Sequence, residues 1–114
     1  MKNFGYQAER FRSAVLALML PHPQGESESI VRACHQCRLA FQDLDRDDLD
    51  QSANELVQRL DAFMGPVEAG VDSHPRWLAK AEKLSIEQKL ELSNCIYELN
   101  AWFHQYFWST KDEA

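Results

Sequence analysis

The chain reads as an all-α protein, an antiparallel four-helix bundle with an additional short helix before the last long helix. Three observations predict this. Apolar residues recur at alternating steps of four and three in four separate segments, the spacing of one face of a helix. There are only four glycines and four prolines, and the prolines lie outside those segments. The 114 residues make a single helical-bundle domain, 1–114, long enough to bury one core but not two.

Each element follows from its own residues. Phe4, Ala8, Phe11, Val15 and Leu18 draw the first stripe, which Pro21-His22-Pro23-Gln24-Gly25 ends. Ile30, Cys34, Cys37, Phe41 and Leu44 draw the second, with Ser27 or Ser29 as the cap at its start. Leu49, Ala53, Leu56, Leu60 and Phe63 draw the third, closed by the stop signal Gly65-Pro66. The link between second and third, around Asp45-Arg46-Asp47, is short enough to make those helices antiparallel neighbours. Pro75 to Leu84 reads as the short helix, with Trp77, Ala81 and Leu84 on one side and proline where its missing N–H costs nothing. The last long helix begins at Ser85, whose partner Gln88 completes a capping box.

That last helix is apolar on two faces. Leu92, Ile96, Leu99, Phe103 and Tyr106 form one stripe; Ile86, Leu90, Tyr97, Ala101 and Trp108 form a second, well round the cylinder. A surface helix of a small bundle needs only one. Between them runs a narrow polar strip, Lys89, Ser93, Asn100 and His104, with the solvent face elsewhere at Glu87, Glu91, Asn94, Glu98 and Gln105. Polar groups flanked by apolar stripes must find hydrogen-bond partners, either inside the chain or at an interface whose register they set. Five aromatics crowd the end, Trp102, Phe103, Tyr106, Phe107 and Trp108, more than one neighbouring helix can cover.

Composition narrows the function classes. The net charge is −6, and residues 43–72 hold nine acids against Arg46 and Arg59. An acidic chain with no basic stripe does not fit nucleic-acid binding, in which phosphate neutralisation dominates. The longest apolar run, Ala14 to Leu20, is too short to span a bilayer. Glu9, Arg10 and Arg12 interrupt what would be the apolar stretch of a signal peptide, so the expected location is cytoplasmic, away from membranes. Three cysteines, an odd number, do not make a secreted disulfide framework.

The candidate chemistries are weak. Cys34-His35-Gln36-Cys37 lacks the further ligands zinc needs, and both cysteines lie mid-helix in phase with Ile30 and Phe41, where a redox pair would sit at a helix start. Asp43-Leu44-Asp45-Arg46-Asp47 opens like a calcium loop but lacks the glycine and the bidentate glutamate, so helix capping explains it better. His35, mid-helix between Arg32 and Arg38, gives the chain a resemblance to the phosphotransfer domains of bacterial two-component signalling, which implies a histidine phosphoacceptor. Gln36, Cys37 and Leu39 depart from the basic residue and nearby glycine that follow the histidine there, so a solvated side chain is the simpler reading. No HExxH, ExxH, glycine-rich phosphate loop or GxSxG elbow occurs, and neither a metal nor a cofactor is expected.

These residues predict a non-enzymatic protein-binding bundle, an adaptor, inhibitor, immunity protein or assembly regulator. Its partner is another protein, either a different chain or a second copy in a homodimer formed through the last helix. Trp77, Tyr97, Asn100, His104 and Trp108 are the candidate interface residues, because aromatics dominate binding hot spots. Asp43, Asp45, Asp47, Asp48 and Asp50 form a second candidate docking surface, for a basic partner. The alternative from another class is a small-molecule-binding bundle with its ligand near the polar strip of the last helix.

Overall fold

Five helices carry the fold in the computed structural model, which describes residues 2–19, 25–42, 44–65, 73–106 and 108–109. They are α1 (Gly5–Leu18), α2 (Glu26–Phe41), α3 (Gln51–Met64), α4 (His74–Glu82) and α5 (Ile86–Gln105). A 3-10 turn, Arg46–Asp48, joins α2 to α3. Near the two ends, β1 (Lys2–Asn3) and β2 (Trp108–Ser109) pair antiparallel over two residues each.

The helix boundaries follow from local chemistry. At α5 the capping box is complete: Gln88 N donates to Ser85 Oγ at 3.1 Å, and Ser85 N donates to Gln88 Oε1 at 2.9 Å. Asp50 caps α3 by accepting from Ala53 N at 2.8 Å, and Asp45 caps the 3-10 turn through Asp47 N. The start of α2 corrects the expectation of Ser27 or Ser29. The cap residue is Gly25, whose φ of 97° suits only glycine well, and Ser29 is buried within the helix. Glu26 and Glu28 then place negative charge at the positive end of the helix dipole.

Gly65 ends α3 at a φ of 75°. Around it, four side chains satisfy the carbonyls that the helix end leaves unpaired. Lys80 Nζ donates to Phe63 O at 2.8 Å, Arg76 Nη2 and Trp77 Nε1 to Met64 O at 3.1 and 2.8 Å, and Arg38 Nη2 to Gly65 O at 2.7 Å. Three of the four donors carry positive charge, which suits the negative end of the dipole. These bonds fix α4 against the end of α3.

One predicted stripe of each long helix faces inward. Phe11, Cys34, Cys37, Ala53, Leu60, Ile96, Leu99 and Phe103 are all essentially inaccessible to solvent. Close packing pairs α1 with α2, α1 with α5, α3 with α5, and α2 with α4. The contacts set the directions. Arg10 donates to Gln36 across an antiparallel α1–α2 pair, Phe4 meets Trp102 and Phe103 across α1–α5, and Trp102 Nε1 donates to Asp50 across α3–α5. An ion pair between Lys89 and Glu26 joins the starts of α5 and α2, which run the same way. The result is an all-α, up-down-up-down arrangement.

One expected neighbour relation is altered. Helices α2 and α3 were expected to pack directly because their link is short, yet they are not one of the closely packed pairs. They meet through a long side chain instead, Arg38 reaching Asp61 at 3.4 Å. The physical reason is α4, whose Trp77 lies between them, its indole bonded to α3 and its ring beside Arg38 and His35 of α2. Among the described residues no helix is long and apolar enough to cross a membrane.

Candidate functional site

The two stripes of α5 have separate environments. Leu92, Ile96, Leu99 and Phe103 are buried, with the Phe103 ring stacked on Phe11 at 5.3 Å between centroids. Tyr106, the last of that stripe, is 40% exposed where the helix ends. The second stripe is open to solvent: Ile86 is 76% exposed, Leu90 59% and Tyr97 43%, with Ala101 exposed beside them. Large apolar side chains lined up at helical spacing and left in water are the feature that marks a contact surface.

Beside this ridge runs a row of acids. Glu87, Glu91 and Glu98 are exposed on the adjoining face of α5, and none forms an ion pair among the described residues. Beyond the acids the surface dips toward α3. One hollow of about 410 Å³ is lined by Arg59, Glu87, Leu90, Glu91, Asn94, Cys95 and Glu98. A smaller one of about 180 Å³ adjoins it through Arg59, Glu91 and Cys95, with Leu60, Phe63, Leu84 and Leu92 as its apolar wall. Burial raises the Cys95 thiol above its ordinary pKa, opposed in part by the guanidinium of Arg59.

The polar strip on the other flank is satisfied in part within the chain. Lys89 pairs with Glu26 of α2, and the exposed His104 donates from Nδ1 to the Asn100 carbonyl at 2.7 Å. Asn100 is half-buried, and its Oδ1 is buried with no hydrogen-bond partner among the described residues.

Of the residues singled out in the sequence, Tyr97, Asn100 and His104 share this region of α5. Trp77 does not, and its assignment to the interface is corrected. It is 2% exposed, held in the core by its bond to Met64 O and by packing between α2 and α3. The backbone of Trp108 lies in β2, and its side chain, like Phe107, lies outside the described residues. Much of the remaining aromatic cluster closes the core: Trp102 and Phe103 pack on Phe4, and Tyr106 leans on Trp102 at 4.7 Å. Ile86 and Leu90, more exposed than Tyr97, belong to the second predicted stripe, and only the weight given to aromatics leaves them out of the candidate interface. The capping box at Ser85 was the signal that carries the ridge back to residue 86.

The other candidates resolve into structural roles or stay open. Asp45 and Asp50 act as caps, Asp47 is exposed, Asp48 is half-buried, and Asp43 lies outside the described residues. The Cys34 and Cys37 side chains are buried; desolvation pushes the Cys34 thiol up to about 12 and Cys37 well above its ordinary range. Thiols so held stay protonated and are poor nucleophiles. His35 is not the fully solvated side chain expected. It is half-buried, with Trp77 edge-on at 4.8 Å and the His74 ring stacked at 6.2 Å, while His74 itself contacts Glu28 at 2.7 Å. The hollow between α3 and α5 lies across the helix from Ser93, Asn100 and His104, the strip where a small ligand was expected. Comparison with known proteins adds no outside guide to the site: no family model matches the chain, and neither a curated protein nor a solved structure does.

Proposed function

We propose that this chain works by binding another protein through the outer face of α5. The observation that carries the reading is the run Ile86, Leu90, Tyr97 and Ala101, an apolar ridge exposed along a helix whose opposite side is already in the core. Complete burial of an Ile or Leu side chain is worth roughly 1.5–3 kcal/mol, and the exposed part of Ile86 and Leu90 leaves the larger share of that to a partner that covers them. The helix beneath is rigidly held by its capping box, its aromatic contacts to α1 and its bond to Asp50, so the ridge is presented on a preorganised surface.

A paired-bait capture tests this. The intact chain, the double variant I86S/L90S and the control L16S, altered at an exposed leucine on α1, are used side by side. The expected result is a protein retained by the unaltered chain and by L16S but lost by I86S/L90S. Capture that is the same for all three baits would overturn the reading.

A further inference from the structure

Resting on that docking reading, we infer that the occupant of the ridge is a basic amphipathic helix of another protein. The shape argues for a helix. From Ile86 to Ala101 the ridge runs about 22 Å along α5, matching an apolar seam of roughly fifteen helical residues. Its side chains recur at steps of four, seven and four, so a partner helix with apolar residues in heptad spacing meets them in register.

The charge argues for a basic flank. Glu87, Glu91 and Glu98 run parallel to the ridge on one side, exposed and without ion pairs among the described residues, and they outnumber Arg59 of α3, which lines the same hollow. A helix seated on the ridge brings its own flanking positions against that row, where Lys or Arg are attracted and acids repelled. A second copy of this chain fits poorly for the same reason. In an antiparallel two-fold pair of α5 helices, the same flank of each copy meets, setting the glutamate rows against each other. In a parallel pair the row meets the opposite flank, where Lys89 is already committed to Glu26. The net charge of −6 adds repulsion between copies.

Anisotropy titrations of the intact chain with three labelled synthetic peptides of about eighteen residues test the inference. One carries Leu at heptad core positions and Lys elsewhere; the second replaces every Lys with Glu; the third is the Leu/Lys peptide scrambled to destroy its apolar face. The expected result is binding of the Leu/Lys peptide, weakened about tenfold by scrambling, by E87Q/E91Q/E98Q and by I86S/L90S. Raising salt from about 50 to about 300 mM weakens it severalfold, because the flanking pairs are solvent-exposed.

Equal binding of the Leu/Glu peptide, or no response to the triple Gln variant, would overturn the basic-helix assignment. So would a concentration-dependent dimer, seen by light scattering, that I86S/L90S dissolves. If the peptides fail while the paired-bait capture still depends on Ile86 and Leu90, the docking reading survives and only the partner chemistry is lost. If the capture also fails, both fall.

Discussion

The inner and outer stripes of α5 are built from similar residues at similar spacing and meet opposite fates. Leu92, Ile96, Leu99 and Phe103 are covered by the aromatic cluster of α1 and the apolar face of α3, whereas Ile86, Leu90, Tyr97 and Ala101 remain in water. The local signal is the same for both, because periodicity reports which residues share a face of a helix. What differs is the supply of neighbours. Four helices around one core can cover a single side of α5, and the extra helix, α4, packs against α2 and the end of α3 instead.

Mutations sharpen the contrast in proportion to burial. The largest effect is expected from Phe103→Ala, which removes a ring stacked on Phe11 and flanked by Phe4. Denaturant unfolding should show a loss of about 3–5 kcal/mol. Trp77→Ala should cost nearly as much, about 3 kcal/mol or more, since it leaves a cavity between α2 and α3 and strips Met64 O of a donor. Equal tolerance of Trp77→Ala and of a surface substitution would place that residue outside the core after all. Ser85→Ala, which breaks the capping box beneath the ridge, is expected to lower stability by about 1 kcal/mol in the same assay. The smallest effect belongs to the outer stripe. Leu90→Ala should change the unfolding free energy by no more than about 0.5 kcal/mol, although its inner counterpart Leu99→Ala costs about 2–5 kcal/mol. A large loss at Leu90 would mean that something in the chain covers it.

The helices were legible because each carries its own stripe and most carry their own stop or start. Gly65, followed by proline, and Ser85, followed three residues on by Gln88, are examples where the local pattern points to one conformation. The start of α2 was not, since Ser27, Ser29 and Gly25 are all acceptable caps and the choice lies in the loop's path. Trp77 was misplaced for a deeper reason. The segment predicted as its helix, Pro75 to Leu84, shows an apolar face of Trp77, Ala81 and Leu84, of which α4 holds the first two, but spacing says nothing about which helices receive that face. Its seat between α2 and α3 depends on Arg38, His35 and Met64, residues distant in sequence. The acid row was legible as a solvent face. Its relation to the ridge has meaning only once Ile86 and Leu90 are seen to be exposed.

The central claim, that the outer face of α5 meets another protein, is tested most directly by a photo-cross-linking amino acid placed at position 90 in the intact chain in its native cells. The same group at position 82, exposed at the end of α4, is the control. The account predicts a discrete covalent adduct to a second protein from position 90 and none from position 82. Adducts from neither position, or equally from both, would contradict it.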